Sequence, residues 1–330
     1  MNLRRQDFLL LAMLAAASTP ASGQTAAPAA GPTDSAPQAP SIPDFSGIWG
    51  QPYLFPGFAS PPTGHGPLAN TSRRRQIYGV DGPLAPGEEG ALAANNNQLV
   101  ADYTDPILKP HAAAVVKKHG EIELSGHAAP TPGNQCFPEP VPYIFWNFGI
   151  LVLQQPNQIT ILYDEDHQVR RVRMNDSHPA QVTPSWYGDS VGHYEGDTLV
   201  IDTVGIKADR PFAMLDTYGT PYSHALHVVE RYRLLDYEAA KAGQAHAWRE
   251  LYRLPGPGEG WSPDPNYKGK GLELLFTIED DGVFTAAWSG VVTYRRPLAT
   301  MWPELVCADN RHEYYAGKET AVPTTEKTDF

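Results

Sequence analysis

The sequence predicts a mainly β protein, an antiparallel meander that closes into a lipocalin-like or calycin-like barrel or folds into a two-layer sandwich. After residue 136, short segments with alternating apolar side chains follow one another closely, which is typical of strands joined by hairpins. Strands do not alternate with helices there, which argues against a Rossmann-like or α/β-hydrolase sheet. A meander this long removes its edges by closing or by forming two layers.

The composition supports a turn-rich globular chain. Its 330 residues include 29 Gly and 32 Pro, and only 19% are charged, which is unlike a helical bundle or a disordered acidic tail. The formal net charge of −12 argues against nucleic acid as a partner, because phosphate binding depends on clustered Lys and Arg.

The first 23 residues are typical of a secretory signal peptide. Arg4 and Arg5 precede an apolar run over residues 8–17, and small residues follow over 18–23. The run is too short to cross about 30 Å of hydrocarbon, so we predict a periplasmic or secreted protein without a membrane span after cleavage. Residues 24–43 are rich in Pro and Ala and predict a disordered linker.

The remaining chain divides into two parts. Residues 44–136 predict an irregular and helical N-terminal wrap, with helical spacing over 87–101 and 106–119 and Asp105 as the cap of the second helix. Residues 137–330 predict the antiparallel β domain, and Asp281-Gly282 predicts a type I′ hairpin turn. The predicted strands are 150–154, 158–164, 169–174, 191–195, 198–203, 225–235, 247–254, 272–279 and 283–294.

The sequence contains two cysteines, Cys136 and Cys307. In an oxidising compartment we predict one disulfide between them, with two separate buried thiols as the alternative. Neither the spacing of a structural zinc site nor that of a haem attachment occurs.

Gly188-Asp189-Ser190-Val191-Gly192 matches the Gly-x-Ser-x-Gly pattern of a nucleophile elbow. An elbow requires a strand before the serine and a helix after it, whereas a predicted hairpin follows here. A serine hydrolase using Ser190 therefore stays an alternative to a glycine-rich turn.

Two glutamates fall on apolar faces of predicted strands. Glu230 shares a face with Val228 and Tyr232, and Glu250 shares one with Trp248 and Tyr252. A hairpin turning near Lys241 would place both carboxylates on one inward surface. Burial and mutual repulsion would raise their pKa values, which suits general acid/base chemistry by a lyase, hydratase, isomerase or hydrolase.

In that enzyme hypothesis His224 or Tyr232 assists the two carboxylates. The alternative is structural, because buried carboxylates often fix an interior through hydrogen bonds to Tyr or Arg. We predict no metal cofactor, since His224 and His227 are three residues apart and would point to opposite faces of a strand. Convergence of His193, His224, Asp197 and Asp202 through folding is left open.

The aromatic residues indicate what a ligand would contact. Trp186, Trp248 and Tyr252 would line a cavity inside the barrel, if the barrel keeps one. Such walls fit a small hydrophobic or aromatic molecule.

Two long segments carry a resemblance to a family. The run from Trp186 to Thr203 contains Glu195-Gly196-Asp197-Thr198-Leu199, and the run from Pro221 to Tyr232 contains Leu226-His227-Val228-Val229-Glu230. Together with Pro43 to Trp49 and the region around Cys136, they resemble a family of exported bacterial proteins with no assigned function. The resemblance implies export and a β-rich fold, but no reaction or cofactor. The family usually carries Arg-Trp at the positions of His193-Tyr194, so it implies no role for His193.

The leading hypothesis is an exported barrel that binds a small hydrophobic or aromatic molecule, and whether it also transforms that molecule is left open. The alternative from another class is a non-catalytic envelope protein that docks onto a partner. A cavity would favour the first hypothesis, and a large exposed apolar patch the second.

Overall fold

One continuous β-sheet contains all the strands that the structure describes. A computed structural model describes residues 42–51, 57–71, 99–125, 129–146, 149–252, 268–296 and 306–307. The strands are β1 (Gly47–Gly50), β2 (Gly149–Gln154), β3 (Gln158–Tyr163), β4 (Val169–Met174), β5 (Asp189–Glu195), β6 (Thr198–Val204), β7 (His227–Leu235), β8 (Gly271–Glu279) and β9 (Trp288–Tyr294). The α-helices are α1 (Pro110–Leu124) and α2 (Tyr237–Tyr252). The predicted mainly β fold class is confirmed.

The sheet curls until its first and last strands meet. The strands lie side by side in chain order from β1 to β9. Gly50 of β1 and Arg295, just after β9, exchange two backbone hydrogen bonds of 2.7 and 2.9 Å. The sheet is therefore a nearly closed barrel, and this closure gives the two edge strands partners.

One strand pair departs from the predicted antiparallel meander. β4 and β5 run parallel, with Arg173 opposite Val191 and Met174 opposite Gly192, whereas every other neighbouring pair is antiparallel. A parallel pair needs a crossover connection, and residues 175–188 supply it. Gly192 fits this contact because a Cβ there would lie only 2.9 Å from Val172 Cγ1.

Alternation along the strands fills the barrel interior. On β8, Leu272, Leu274, Phe276 and Ile278 are completely buried, while the residues between them point outward. Most of the predicted strands are confirmed to within a few residues. β8 and β9 pair as predicted, but residues 280–287 connect them, so the connection is longer than the expected two-residue turn.

The prediction of a strand over 247–254 was wrong. Residues 237–252 form α2, which packs on β8 and β9, and residues 253 and 254 lie outside the described part. The helix begins after Asp236, whose Oδ1 accepts a hydrogen bond of 2.8 Å from the backbone N–H of Ala239. An N-terminal capping aspartate followed by a run rich in Ala, Glu, Lys and Gln is a helix signal, and here it outweighs the alternation of Trp248, Glu250 and Tyr252.

Two further predictions for the N-terminal part need correction. Residues 47–50 form β1, a strand in a segment for which no strand was predicted. α1 begins at Pro110 instead of residue 106, and Asp105 caps the turn before it by accepting the backbone N–H of Ile107 at 2.9 Å. The signal peptide, nearly all of the linker and most of the predicted helix over 87–101 lie outside the described residues.

The predicted disulfide is confirmed. Cys136 and Cys307 are bonded, with their Cα atoms 5.5 Å apart and a sequence separation of 171. A loop of this length constrains the unfolded chain by about 5 kcal/mol in the chain-entropy model. None of the described helices is long and apolar enough to cross a membrane.

α1 buries two titratable side chains on its inner face. His119 and Glu123 lie one turn apart, together with Ala112 and Val116. The pKa of His119 falls to about 4 because of burial. Burial raises the pKa of Glu123 to about 7, although the backbone N–H groups of Ala129 and Leu99 donate to its carboxylate.

We predict that Glu123→Gln stabilises the protein at neutral pH. The folded-state pKa of Glu123 is above its ordinary value of 4.5, so the cost of burying the ionised carboxylate is fully present above pH 7 and absent below about pH 4.5. Urea unfolding should show a gain of up to about 3 kcal/mol at pH 8 that disappears near pH 4.

Glu121→Gln is the matched control, because Glu121 is exposed on the same helix and, among the described residues, forms an ion pair with Lys117 at 3.9 Å. It should change the unfolding free energy by less than about 0.5 kcal/mol at either pH. A Glu123 variant whose effect does not depend on pH would contradict the prediction.

Candidate functional site

A buried ion pair crosses the barrel interior. Arg170 of β4 donates from Nη1 to Glu230 Oε2 at 2.9 Å and from Nη2 to Oε1 at 2.5 Å. The arginine side chain is 4% exposed and the glutamate 0%. Glu230 of β7 therefore faces inward, as predicted, but its partner is an arginine. The hypothesis of two paired carboxylates is not supported by this geometry.

Hydroxyl groups complete the hydrogen bonding of this pair. Arg170 Nε donates to Ser190 Oγ at 3.1 Å, and Arg170 Nη2 also donates to Thr203 Oγ1 at 2.6 Å. Tyr232 donates its hydroxyl to Glu230 Oε2 at 2.9 Å. Burial also raises the pKa of Tyr232 well above its ordinary value, so its phenol stays protonated. All three arginine nitrogens have acceptors, as a buried charged network requires.

Besides Glu230, this network accounts for two more of the sequence-predicted catalytic residues, Ser190 and Tyr232. Ser190 lies within β5 and points into the interior, where its described partners are Arg170 and Thr203 at 3.1 and 2.9 Å. A nucleophile elbow instead presents its serine at an accessible strand-to-helix turn beside a histidine. The geometry gives Ser190 and Tyr232 structural roles.

Glu250 lies away from Glu230. It is on α2, and its carboxylate accepts hydrogen bonds from the backbone N–H of Ser60 at 2.9 Å and the Ser60 hydroxyl at 2.5 Å. His246 approaches the same carboxylate at 3.2 Å. On the two strands that flank β7, Ile201 of β6 and Phe276 of β8 lie opposite Glu230. The predicted hairpin that joined the two glutamates was therefore wrong. Glu250 fastens the 57–60 segment to the helix.

The remaining predicted site residues are also dispersed. His224 is exposed and contacts Asp209 at 3.0 Å. Trp248 is buried on α2, and Tyr252 ends that helix. Trp186 is half-buried in the crossover segment, with the guanidinium of Arg210 5.2 Å from its ring centroid. The structure does not bring these residues together around one cavity.

The barrel interior is packed in its apolar part. Phe45, Val152, Ile161, Leu199, Tyr232 and Leu272 enclose a space too small for a water molecule. These side chains and the Arg170 network occupy the volume where a lipocalin-like ligand would lie. Trp186 and Trp248 do not line this space, and the side chain of Tyr252, the third residue of the expected wall, lies outside the described part.

An open cleft of about 410 Å³ lies at one end of the barrel. Its apolar walls are Ile42, Pro43, Pro156 and Tyr194. Below it, the Phe45 ring stacks on Tyr194 with centroids 6.5 Å apart and planes within 10°. Phe45 also lines the packed interior, so the cleft lies directly above the core.

Gln154 holds the rim of the cleft in place. Its Oε1 accepts the backbone N–H of Phe45 at 2.8 Å, and its Nε2 donates to the carbonyl of Pro43 and the hydroxyl of Tyr194 at 3.1 and 2.9 Å. One amide thus joins the entry to β1, the end of β2 and the outer part of β5. The cleft is preformed by these contacts, which lowers the ordering cost of binding.

The four residues considered as a converging histidine and aspartate site do not converge. His193 contacts Glu195 at 3.1 Å, and His224 contacts Asp209. Asp202 instead contacts His178 and His227, at 2.9 and 2.8 Å. Sequence reasoning missed His178, because it lies in an irregular segment with no periodic pattern.

Two acidic residues, Glu165 and Asp166, lie close to Cys307. The sulfur atom of Cys307 is bonded to Cys136, so it offers no thiolate to a metal. Burial and the neighbouring Asp166 and Asp164 raise the pKa of Glu165 to about 7. This cluster therefore lacks a complete ligand set.

We predict that Glu230→Gln lowers the unfolding free energy by about 3 to 5 kcal/mol, because it leaves the Arg170 guanidinium buried without a counter-charge. The control is Glu195→Gln, which breaks the exposed pair with Arg231 at 2.7 Å and should leave the unfolding free energy nearly unchanged. Urea unfolding monitored by circular dichroism gives both values.

The double variant Arg170→Met/Glu230→Leu tests the same contact if Glu230→Gln fails to fold. Removing both charges should recover part of the stability, since the isolated buried charge is then gone. Equal losses for Glu230→Gln and Glu195→Gln would show that the interior does not depend on the pair.

No protein-family model, curated protein or solved structure matches this chain. The geometry of the described residues therefore carries the functional argument.

Proposed function

We propose that the protein is an exported binding protein that holds a small, uncharged molecule with an apolar body in the cleft at the barrel end. The observation that carries this proposal is the cleft itself, whose volume of about 410 Å³ is within the usual range for small-molecule sites. The ligand therefore binds at the mouth of the barrel, and the interior stays packed.

The lining suggests the chemistry of the ligand. Tyr194 and two prolines offer apolar surface, and Ile42 adds a side chain that is 56% exposed. Gln155 and Asn175 contribute amides that can donate and accept hydrogen bonds. A molecule with a ring or aliphatic body and a few polar groups would satisfy both kinds of surface.

Charge argues against an anionic ligand. Asp44 is the only charged residue among the described residues that line the cleft. A backbone hydrogen bond from Ser46 holds the pKa of Asp44 below its ordinary value, so the carboxylate is ionised at neutral pH. An anion would be repelled by Asp44 without gaining an ion pair in the cleft.

Export is supported by the confirmed disulfide, since such bonds persist in oxidising compartments.

The alternative of a protein that docks onto a partner has less support. The large apolar side chains most exposed in the described part, Leu124, Ile42, Leu153, Val115 and Val169, are spread over α1, β2, β4 and the cleft. Scattered residues of this kind are normal on a soluble surface.

We predict saturable binding of the neutral fluorescent probe N-phenylnaphthylamine to the full chain. Its anionic relative anilinonaphthalene sulfonate has the same type of rings and should bind at least about tenfold more weakly, because of Asp44. Fluorescence titration at constant ionic strength measures both affinities.

Gln155→Trp should fill the cleft and weaken binding of N-phenylnaphthylamine at least about tenfold. Leu153→Trp is the matched control, because Leu153 is exposed on the same hairpin but outside the lining. Equal affinities for the two variants, or no saturable binding by the unmodified chain, would refute the proposal.

A further inference from the structure

Two backbone groups fix the orientation of the Gln154 amide at the rim of the cleft. The backbone N–H of Phe45 can only donate, so the atom that it contacts at 2.8 Å is the carbonyl oxygen Oε1. The carbonyl of Pro43 can only accept, so the atom that contacts it at 3.1 Å is the amide nitrogen Nε2. The second proton of Nε2 is donated to the Tyr194 hydroxyl at 2.9 Å. The oxygen of Tyr194 is therefore the acceptor in this contact.

The hydroxyl of Tyr194 keeps its own proton for another partner. A phenol both donates and accepts, whereas the amide nitrogen that it contacts can only donate. No acceptor in the described part of the chain takes the phenol proton. Burial raises the pKa of Tyr194 above its ordinary value, so the phenol stays protonated at neutral pH. One hydrogen-bond donor thus remains for a partner from outside this part of the chain.

This donor lies at the wall of the cleft. Tyr194, Gln154 and Pro43 all line the cleft, so the hydroxyl and the amide that it contacts belong to the same wall. The tyrosine ring stacks on Phe45, with centroids 6.5 Å apart, and its hydroxyl is held by Gln154. These two contacts fix the position of the donor before a ligand binds, which lowers the cost of forming a hydrogen bond there.

The other polar side chains of the cleft place a second condition on the ligand. The amides of Gln155 and Asn175 are exposed, and each offers both donors and an acceptor, so they suit either kind of group. The carboxylate of Asp44 is ionised and repels anions. The group opposite Tyr194 must therefore accept a hydrogen bond without carrying a negative charge. A carbonyl oxygen meets both requirements.

Desolvation makes this donor a source of selectivity. A bound molecule that covers the hydroxyl removes the water that would otherwise accept its proton. A ligand with an acceptor replaces that hydrogen bond, whereas a ligand without an acceptor leaves the donor unsatisfied. For this reason, sites that hydrogen-bond a ligand reject analogues that lack the matching group.

We propose that the cleft selects neutral carbonyl compounds, such as ketones, esters or amides with an apolar body, and that the Tyr194 hydroxyl donates a hydrogen bond to the carbonyl oxygen of the ligand. Tyr194 is then the residue that determines specificity. This selectivity rests on the proposed binding in the cleft, and it narrows the ligand from any small uncharged molecule to one with a suitable acceptor.

The fluorescent naphthyl ketone prodan and its analogue with a methylene in place of the carbonyl test this selectivity. The two neutral compounds have nearly the same size and shape, so the ratio of their affinities reports the carbonyl contact. Tyr194→Phe removes the hydroxyl and keeps the ring. In this variant of the full chain we expect the ratio, measured by fluorescence titration, to change about fivefold against prodan, as loss of one neutral hydrogen bond requires.

Tyr103→Phe is the matched control. Tyr103 is an exposed tyrosine outside the lining of the cleft, so loss of its hydroxyl should leave the ratio within about twofold of the unmodified chain. Loss of the Gln154 contact in Tyr194→Phe affects both compounds, so it cancels in the ratio. An unchanged ratio in Tyr194→Phe, with both compounds still bound, would overturn the role of Tyr194 but leave the proposed binding function intact. No saturable binding of either compound by the unmodified chain would refute both.

The infrared spectrum of bound prodan gives a second readout that needs no variant. A carbonyl that accepts a hydrogen bond from a phenol absorbs at a lower frequency than a free carbonyl. We expect the ketone band of prodan bound to the unmodified chain to lie below its position in a hydrocarbon solvent. A band at the hydrocarbon position would contradict the contact with Tyr194.

Discussion

The ion pair between Arg170 and Glu230 is the constraint on which the rest of the barrel depends. A guanidinium and a carboxylate that are 4% and 0% exposed are stable only when every donor has an acceptor. Ser190 on β5 and Thr203 on β6 meet that need from the two strands that lie between β4 and β7. Four neighbouring strands are thereby fixed to one charge pair. Because this network and the apolar side chains fill the interior, the ligand site that we propose lies at the barrel end.

The glycine pattern that resembles a nucleophile elbow has a physical explanation in the same part of the sheet. Gly188 has a φ of +72°, and a Cβ there would lie 2.6 Å from the carbonyl oxygen of Val204. Gly192 is needed where β5 approaches β4, since a Cβ would collide with Val172 and Met174 at 2.9 and 3.0 Å. Both glycines allow β5 to pack closely against its neighbours, and the serine between them forms hydrogen bonds in the interior network. The pattern therefore describes a tight strand entry and a close strand pair, with no need for a nucleophile.

Side-chain alternation and the presence of two cysteines made most of the fold predictable. Strand positions follow from a period of two, and the Cys136–Cys307 bond was predicted from the expectation of an oxidising compartment. The partner of Glu230 could not be predicted, because Arg170 lies 60 residues earlier and nothing in either local pattern links them. α2 was missed because alternation over only three positions is too short to distinguish a strand from a helix, and the Asp236 cap was the signal that could have decided it. β1 has only four residues, and its pairing with β2 joins positions about a hundred residues apart, which local pattern cannot reveal.

The segments 186–203 and 221–232 contribute to two networks on opposite sides of one sheet. Asp189 and Ser190 are adjacent in sequence, as are Asp202 and Thr203, yet in each pair one residue points outward and the other inward. The inward residues contact Arg170, and the outward ones contact His178 and His227. Register therefore links the two networks, because a slip of one residue in β5 or β6 would place carboxylates in the interior and hydroxyls outside. The buried pair thus holds the register that aligns Asp202 between its histidines, and a register shift in the interior would also move Asp202 away from them.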